Sequence, residues 1–232
     1  MNLYDDIILQ IEALTKDKKE IPLTSTIPEV KNNMIFQSDV AYEIGGGLLP
    51  SISLTLPTTQ EIENSLFLLG KDLCEIHTNS PLIRIAILQI HESEKTAEAE
   101  YQMIKRLDFT KYHVNPEGYM MRISSMRNKE TVRISKNAIL KRISFSDIGY
   151  HFNKAYHRHK EVISVKQIYI TDSSFDYEKI IALSKQVKER TNLIDHMTKD
   201  LSMSCGTCHL KPICDEVEGM KELHENSAKA TD

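Results

Sequence analysis

Three of the chain's four cysteines fall within ten residues, in the stretch Ser204-Cys205-Gly206-Thr207-Cys208-His209-Leu210-Lys211-Pro212-Ile213-Cys214. The spacing is Cys-x2-Cys-x5-Cys. Gly206 and Pro212 favour the turns that bring such thiols together. Convergent thiolates are ligands for iron–sulfur clusters or for zinc. The rest of the 232 residues is therefore expected to fold as a platform for this stretch.

Composition narrows the setting. With 41% hydrophobic residues the chain has enough apolar side chains for a real core. A net charge of −4 gives no overall pull towards nucleic acid or an anionic membrane, and neither is expected as a partner. No apolar run reaches the roughly 18 residues of a spanning helix. Met1-Asn2-Leu3-Tyr4-Asp5-Asp6 lacks the basic and apolar regions of a secretory signal. These features point to a cytoplasmic protein, where structural disulfides are rare and clustered cysteines bind metal or do redox chemistry.

The apolar periodicity predicts a mixture of helices and strands. Leu3, Ile7, Ile8, Ile11 and Leu14 have helical spacing, and Pro22 and Pro28 enforce an extended connection after them. Residues 39–44 and 48–56 read as two strands joined in a hairpin by Gly45-Gly46-Gly47. A strand over 65–69, a helical turn carrying Cys74, and a strand over 81–90 follow. Ser93 is positioned to cap a helix over 94–107. Residues 119–134 read as extended chain interrupted near Arg127-Asn128, with a short capped helix from Ser135 and another helix starting at Ser146-Asp147. A strand over 162–170 and a long helix from Tyr177 to about His196 complete the pattern. His151, His157 and His159 fit a solvated helix end, with 151 and 159 on one face.

The expected class is α+β: a mixed or antiparallel sheet packed with helices, followed by a short cysteine-rich C-terminal segment. The segmentation that follows is an N-terminal helix and linker over 1–32, an α+β domain over 33–198, a metal-binding segment over 199–224 and a polar, frayed tail over 225–232.

Two sites are candidates. The first is the metal centre of Cys205, Cys208 and Cys214, a [4Fe–4S] cluster or zinc. Its fourth ligand is open between His224, Cys74, a partner chain and a substrate; His209 directly follows Cys208 and is strained for joint ligation. The second lies in residues 105–142, where ten Lys and Arg face only Asp108, Glu117 and Glu130. Arg122, Arg127, Arg133 and Lys136 are its candidate contacts for an anion, the phosphates of coenzyme A among them, or for an acidic partner such as a ferredoxin. The alternative is a solvated basic face. No nucleophile–base or paired-carboxylate arrangement is legible.

Several segments in order resemble acetyl-CoA synthase, the beta subunit of the carbon monoxide dehydrogenase/acetyl-CoA synthase complex, over its middle domain. They are Leu3-Tyr4-Asp5 with Ile7 and Ile8, Tyr42-Glu43-Ile44-Gly45-Gly46, Arg127-Asn128, Val132 to Ala138, Ile168-Tyr169-Ile170-Thr171-Asp172, and Ser204-Cys205 with Cys208. The resemblance implies an α+β domain leading into the first ligands of a [4Fe–4S] cluster, with Cys214 as the third. The departures are as informative. No cysteine follows Cys214, and the family's nickel-holding Cys-Gly-Cys does not occur. The family's large N-terminal domain has no counterpart. Tyr119-Met120-Met121-Arg122 stands where the family has a tryptophan implicated in coenzyme A binding. The resemblance thus implies an iron–sulfur accessory, electron-transfer or scaffold protein of anaerobic one-carbon metabolism, beside a redox or corrinoid enzyme. The alternative is a zinc-stapled interaction or regulatory module without catalysis.

Overall fold

The computed structural model describes residues 3–91, 96–124 and 129–199. In chain order the elements are α1 (Asp5–Leu14), β1 (Lys19–Glu20), β2 (Val40–Ile44), β3 (Ser51–Thr58), β4 (Ser65–Leu69) and β5 (Leu82–Ile90). There follow α2 (Ala97–Phe109), β6 (Tyr119–Ser124), β7 (Lys129–Ser135), α3 (Lys136–Leu140), α4 (Phe145–Tyr156), β8 (Val162–Ile170) and α5 (Tyr177–Lys199). Short 3-10 turns occur at Gln37–Asp39, Leu73–Glu75 and Thr110–His113.

Five strands form one sheet in the order β1-β4-β8-β5-β3. The β4/β8 and β3/β5 pairs are parallel, whereas β1/β4 and β5/β8 are antiparallel. A second, antiparallel sheet has the order β2-β7-β6. This is the mixed sheet packed with helices that the α+β reading expects.

The two faces of the large sheet differ in chemistry because side chains alternate. Ile83, Ile85 and Ile87 of β5 stand in register with Ile170, Ile168 and Lys166 of β8 and with Ile52, Leu54 and Leu56 of β3. Lys166 reaches beyond this apolar face to Glu12 of α1 at 2.7 Å. α1 adds Ile7, Ile8 and Ile11 to the same buried core, and α5 is docked beside it. There the Arg190 fork grips both Asp6 carboxylate oxygens at 2.5 and 2.7 Å, and the Tyr4 and Thr191 hydroxyls lie 2.7 Å apart.

The opposite face is polar along one row: Ser53, Arg84 and Tyr169 are direct register partners. α4 covers it. Gln167 donates to the Gly149 carbonyl at 2.8 Å, and Phe145 stacks on Tyr169 with ring centroids 4.5 Å apart. Gly149 is the point of closest approach, because a Cβ there would meet Leu66 Cδ2 at 2.5 Å.

Three local expectations change. The glycine run does not close a hairpin: β2 pairs with β7 and β3 with β5. Gly45 and Gly47 adopt φ of 70° and 61°, and the turn passes the chain from one sheet to the other. Gly45 N donates to Ser80 O at 2.7 Å instead of to a hairpin neighbour. α4 starts at Phe145, one residue early, because Ser144 and Asp147 form a capping box; Ser146 Oγ instead donates to the Pro22 and Thr24 carbonyls. α2 starts at Ala97 with Thr96 as its cap, and Ser93 lies outside the described residues.

Of the three histidines only His157, the exposed C-cap of α4, stands at a solvated helix end. His151 is buried, and α4 ends at Tyr156, so His159 shares no helix face with it. The His159 ring is 2.7 Å from Thr110 Oγ1, and burial pushes its pKa down. Among the described residues no helix is long and apolar enough to cross a membrane.

Candidate functional site

The sequence-predicted residues divide sharply. Cys205, Cys208, Cys214, His224 and Arg127 lie outside the described residues. Cys74 sits in the Leu73–Glu75 turn as a half-buried free thiol. Burial and the nearby Asp72 and Glu75 carboxylates push that thiol up, against the thiolate a metal needs. Asp72 is itself engaged, accepting from the Leu73 and Phe145 backbone N–H groups at 2.7 Å each. Among the described residues no three His, Cys, Asp or Glu side chains form a metal-binding group.

Arg122, Arg133 and Lys136 all contact β2 or the chain leading into it. Arg133 Nε donates to Glu43 Oε1 at 2.6 Å, and its Nη2 donates to Gln37 Oε1 at 2.7 Å. Arg122 reaches the same Glu43 oxygen at 3.4 Å, and Lys136 donates to the Ser38 carbonyl at 2.8 Å. Arg133 of β7 and Lys136 of α3 thus hold the chain entering β2, and Arg122 of β6 meets β2 itself at Glu43. Ser135 caps α3 by accepting from Ala138 N, which makes it a structural cap as well.

One cluster has the residue types of a hydrolase but not the wiring. Ser25 Oγ is 3.0 Å from Asp147 Oδ1 and 3.2 Å from His151 Nε2. His151 Nε2 also lies 2.7 Å from the Ile27 carbonyl, an obligate acceptor, so this nitrogen carries the proton and has no lone pair for Ser25. Asp147 orients the serine, not the histidine. The three residues tie the extended segment after β1 to α4.

The strongest convergence of charge lies at the open edge of β3. Here α2, α5 and the start of β7 enclose a cleft of about 450 Å³. Its inner wall holds Lys111, whose side chain is 5% exposed and whose Nζ lies 2.7 Å from Glu130 Oε1 and 3.0 Å from Asp108 Oδ1. The Tyr112 hydroxyl donates to the same Glu130 oxygen at 2.7 Å, and Thr55 Oγ1 donates to Asp108 at 3.1 Å. Burial alone would lower the Lys111 pKa; Asp108 and Glu130 outweigh it and the pKa rises. Burial likewise opposes ionisation of Glu130, and Lys111 and Tyr112 overcome it, so its pKa falls. Both groups keep their charge through the neutral range. A wall of fixed opposite charges is suited to binding.

Behind this wall sits Arg84, 2% exposed in the middle of the apolar strand β5. Its guanidinium lies 4.1 Å from the Phe152 ring centroid. Nε donates to Ser53 Oγ at 3.0 Å, while Nη1 and Nη2 have no hydrogen-bond partner among the described residues. The Tyr119 and Tyr156 hydroxyls and Glu130 Oε2 are buried and likewise without a hydrogen-bond partner among the described residues. Ser53 belongs to both environments: it lines the cleft and it accepts from the buried cation.

Sequence reading placed Lys105, Lys111 and Lys129 in a basic stretch but missed the cleft. Its fourth lysine, Lys188, comes from α5, and only the fold brings it near. The available signal was Arg84, a lone charge in the run Leu82–Ile90. A smaller cleft of about 210 Å³ lies where the parallel strands β4 and β8 both end. Gly70, at φ 115°, approaches the Asp172 backbone there too closely for any side chain. Compared with protein-family models and with curated proteins, the chain finds no match.

Proposed function

We propose that this chain is a cytoplasmic metal-cluster protein akin to the middle domain of acetyl-CoA synthase, with Cys205, Cys208 and Cys214 as thiolate ligands of a [4Fe–4S] cluster. Its role is accessory: electron transfer or scaffolding beside a redox or corrinoid enzyme of one-carbon metabolism. The observation that carries this reading is the placement of three thiols in ten residues, shortly after α5 ends at Lys199. Three thiolates with turn-forming Gly206 and Pro212 between them suit a cluster and leave one iron for another ligand.

Two of the segments that carry the family resemblance meet in the fold. Tyr42-Glu43-Ile44 and Val132-Arg133-Ile134 are far apart in sequence yet pair as neighbouring strands, and Glu43 opposes and binds Arg133. Such residues maintain a fold rather than carry catalysis. The sequence has no Cys-Gly-Cys, so acetyl-CoA synthesis by this chain alone is not part of the proposal.

The second reading, a zinc-stapled module, draws on the state of Cys74. A thiol held protonated by burial and two carboxylates is a poor fourth ligand. His224 is then the alternative within the chain, and Cys3His is a zinc set. Iron, acid-labile sulfide and zinc measured on protein purified without oxygen separate the two. About four iron and four sulfide per chain are expected for the cluster. One zinc without iron would select the stapled module, and protein free of both metals would remove the proposal altogether.

A further inference from the structure

We propose that the cleft at the edge of β3 binds a small phosphorylated metabolite, independently of any metal on the cysteine stretch. Its inner charges are already balanced: Lys111 is neutralised between Asp108 and Glu130. The surplus lies at the rim. Lys105 of α2 and Lys188 of α5 line the cleft, are exposed, and make no hydrogen bond or ion pair among the described residues. In a chain of net charge −4, two uncompensated ammonium groups at one cleft form a local anion trap.

Ser53 adds direction. Its Oγ accepts from Arg84 Nε at 3.0 Å, so its own hydrogen is free to donate into the cleft it lines. A hydroxyl that accepts from a buried guanidinium is polarised into a stronger donor. Arg84 cannot leave this position, because it is enclosed by the core and stacked on Phe152. The mouth of the cleft thus offers two ammonium groups, and its wall offers a fixed hydroxyl donor. This pattern recognises a dianionic, oxygen-rich group such as a phosphate monoester. About 450 Å³ leaves room for an organic body as well as the anion. The cations differ from Arg122, Arg133 and Lys136, which are engaged by β2 and the chain before it.

The test is calorimetric titration of the whole chain, as purified, with ribose 5-phosphate and with inorganic phosphate at low ionic strength. One site is expected, with ribose 5-phosphate bound more tightly than inorganic phosphate. The Lys105→Ala/Lys188→Ala variant, altered only at exposed side chains, is expected to bind ribose 5-phosphate at least about tenfold more weakly. Arg122→Ala is expected to leave binding unchanged. The proposal is overturned by absence of binding, by equal affinity for the two probes, by undiminished affinity in the double variant, or by loss of binding in Arg122→Ala.

Discussion

Glu130 shows how a single residue sets the character of the cleft. Its carboxylate lies between Lys111, which it touches at 2.7 Å, and Arg84, which it influences through space. Replacing it by Gln leaves two buried cations short of a counter-charge, at a cost of about 3 kcal/mol near neutral pH. Since the native pKa of Glu130 is depressed, its contribution is present in full above about pH 4.3, its ordinary value, and is lost as pH falls through the lower native value. Urea unfolding of the chain and of Glu130→Gln across pH 3 to 7 checks this. The gap between them is expected to narrow on acidification, and a pH-independent gap would remove the charge explanation. Arg84 itself was visible in sequence as an intruder in an apolar strand. Its stacking on Phe152 and its bond to Ser53 were not, because they depend on α4 and β3 arriving from distant parts of the chain.

At the scale of elements, what was legible depended on whether the determining contacts are local. α1, β5 and β8 have apolar patterns that reach the core unaided, and Ser135 announces α3 through its own cap. The Gly45–Gly47 turn misled because glycine specifies a turn but not which strands the turn joins. β2 found β7 and β3 found β5, pairings decided by long-range burial. The α4–sheet contact gives a second test of this kind. In an exposed helix Gly→Ala stabilises by up to about 1 kcal/mol. At Gly149 an added Cβ meets Leu66 Cδ2 at 2.5 Å, and Leu66 is fully buried, so its side chain must repack within the core. Gly149→Ala is therefore expected to destabilise by about 1–3 kcal/mol, read as a fall in the thermal midpoint of the whole chain. A raised midpoint would mean that α4 does not sit on β4 as closely as described.

For the whole molecule, the α+β class followed from the periodicities, and the mixed sheet with helices on both faces bears it out. The site divides differently. The proposed metal ligands are legible because they fall within ten residues of sequence, while the lysine cleft is assembled from α2, β3, β7 and α5 and has no sequence motif. In sequence the two are neighbours: α5 lines the cleft and is the last described element before the cysteine stretch. The central claim is that the stretch holds an iron–sulfur cluster. Its most direct test is the visible absorption spectrum of the chain purified without oxygen, recorded beside that of Cys208→Ser. The expected result is thiolate-to-iron charge-transfer absorbance in the former and its loss in the latter, with far-ultraviolet circular dichroism unchanged. A colourless chain with the Cys205, Cys208 and Cys214 thiols all freely titrating would contradict it.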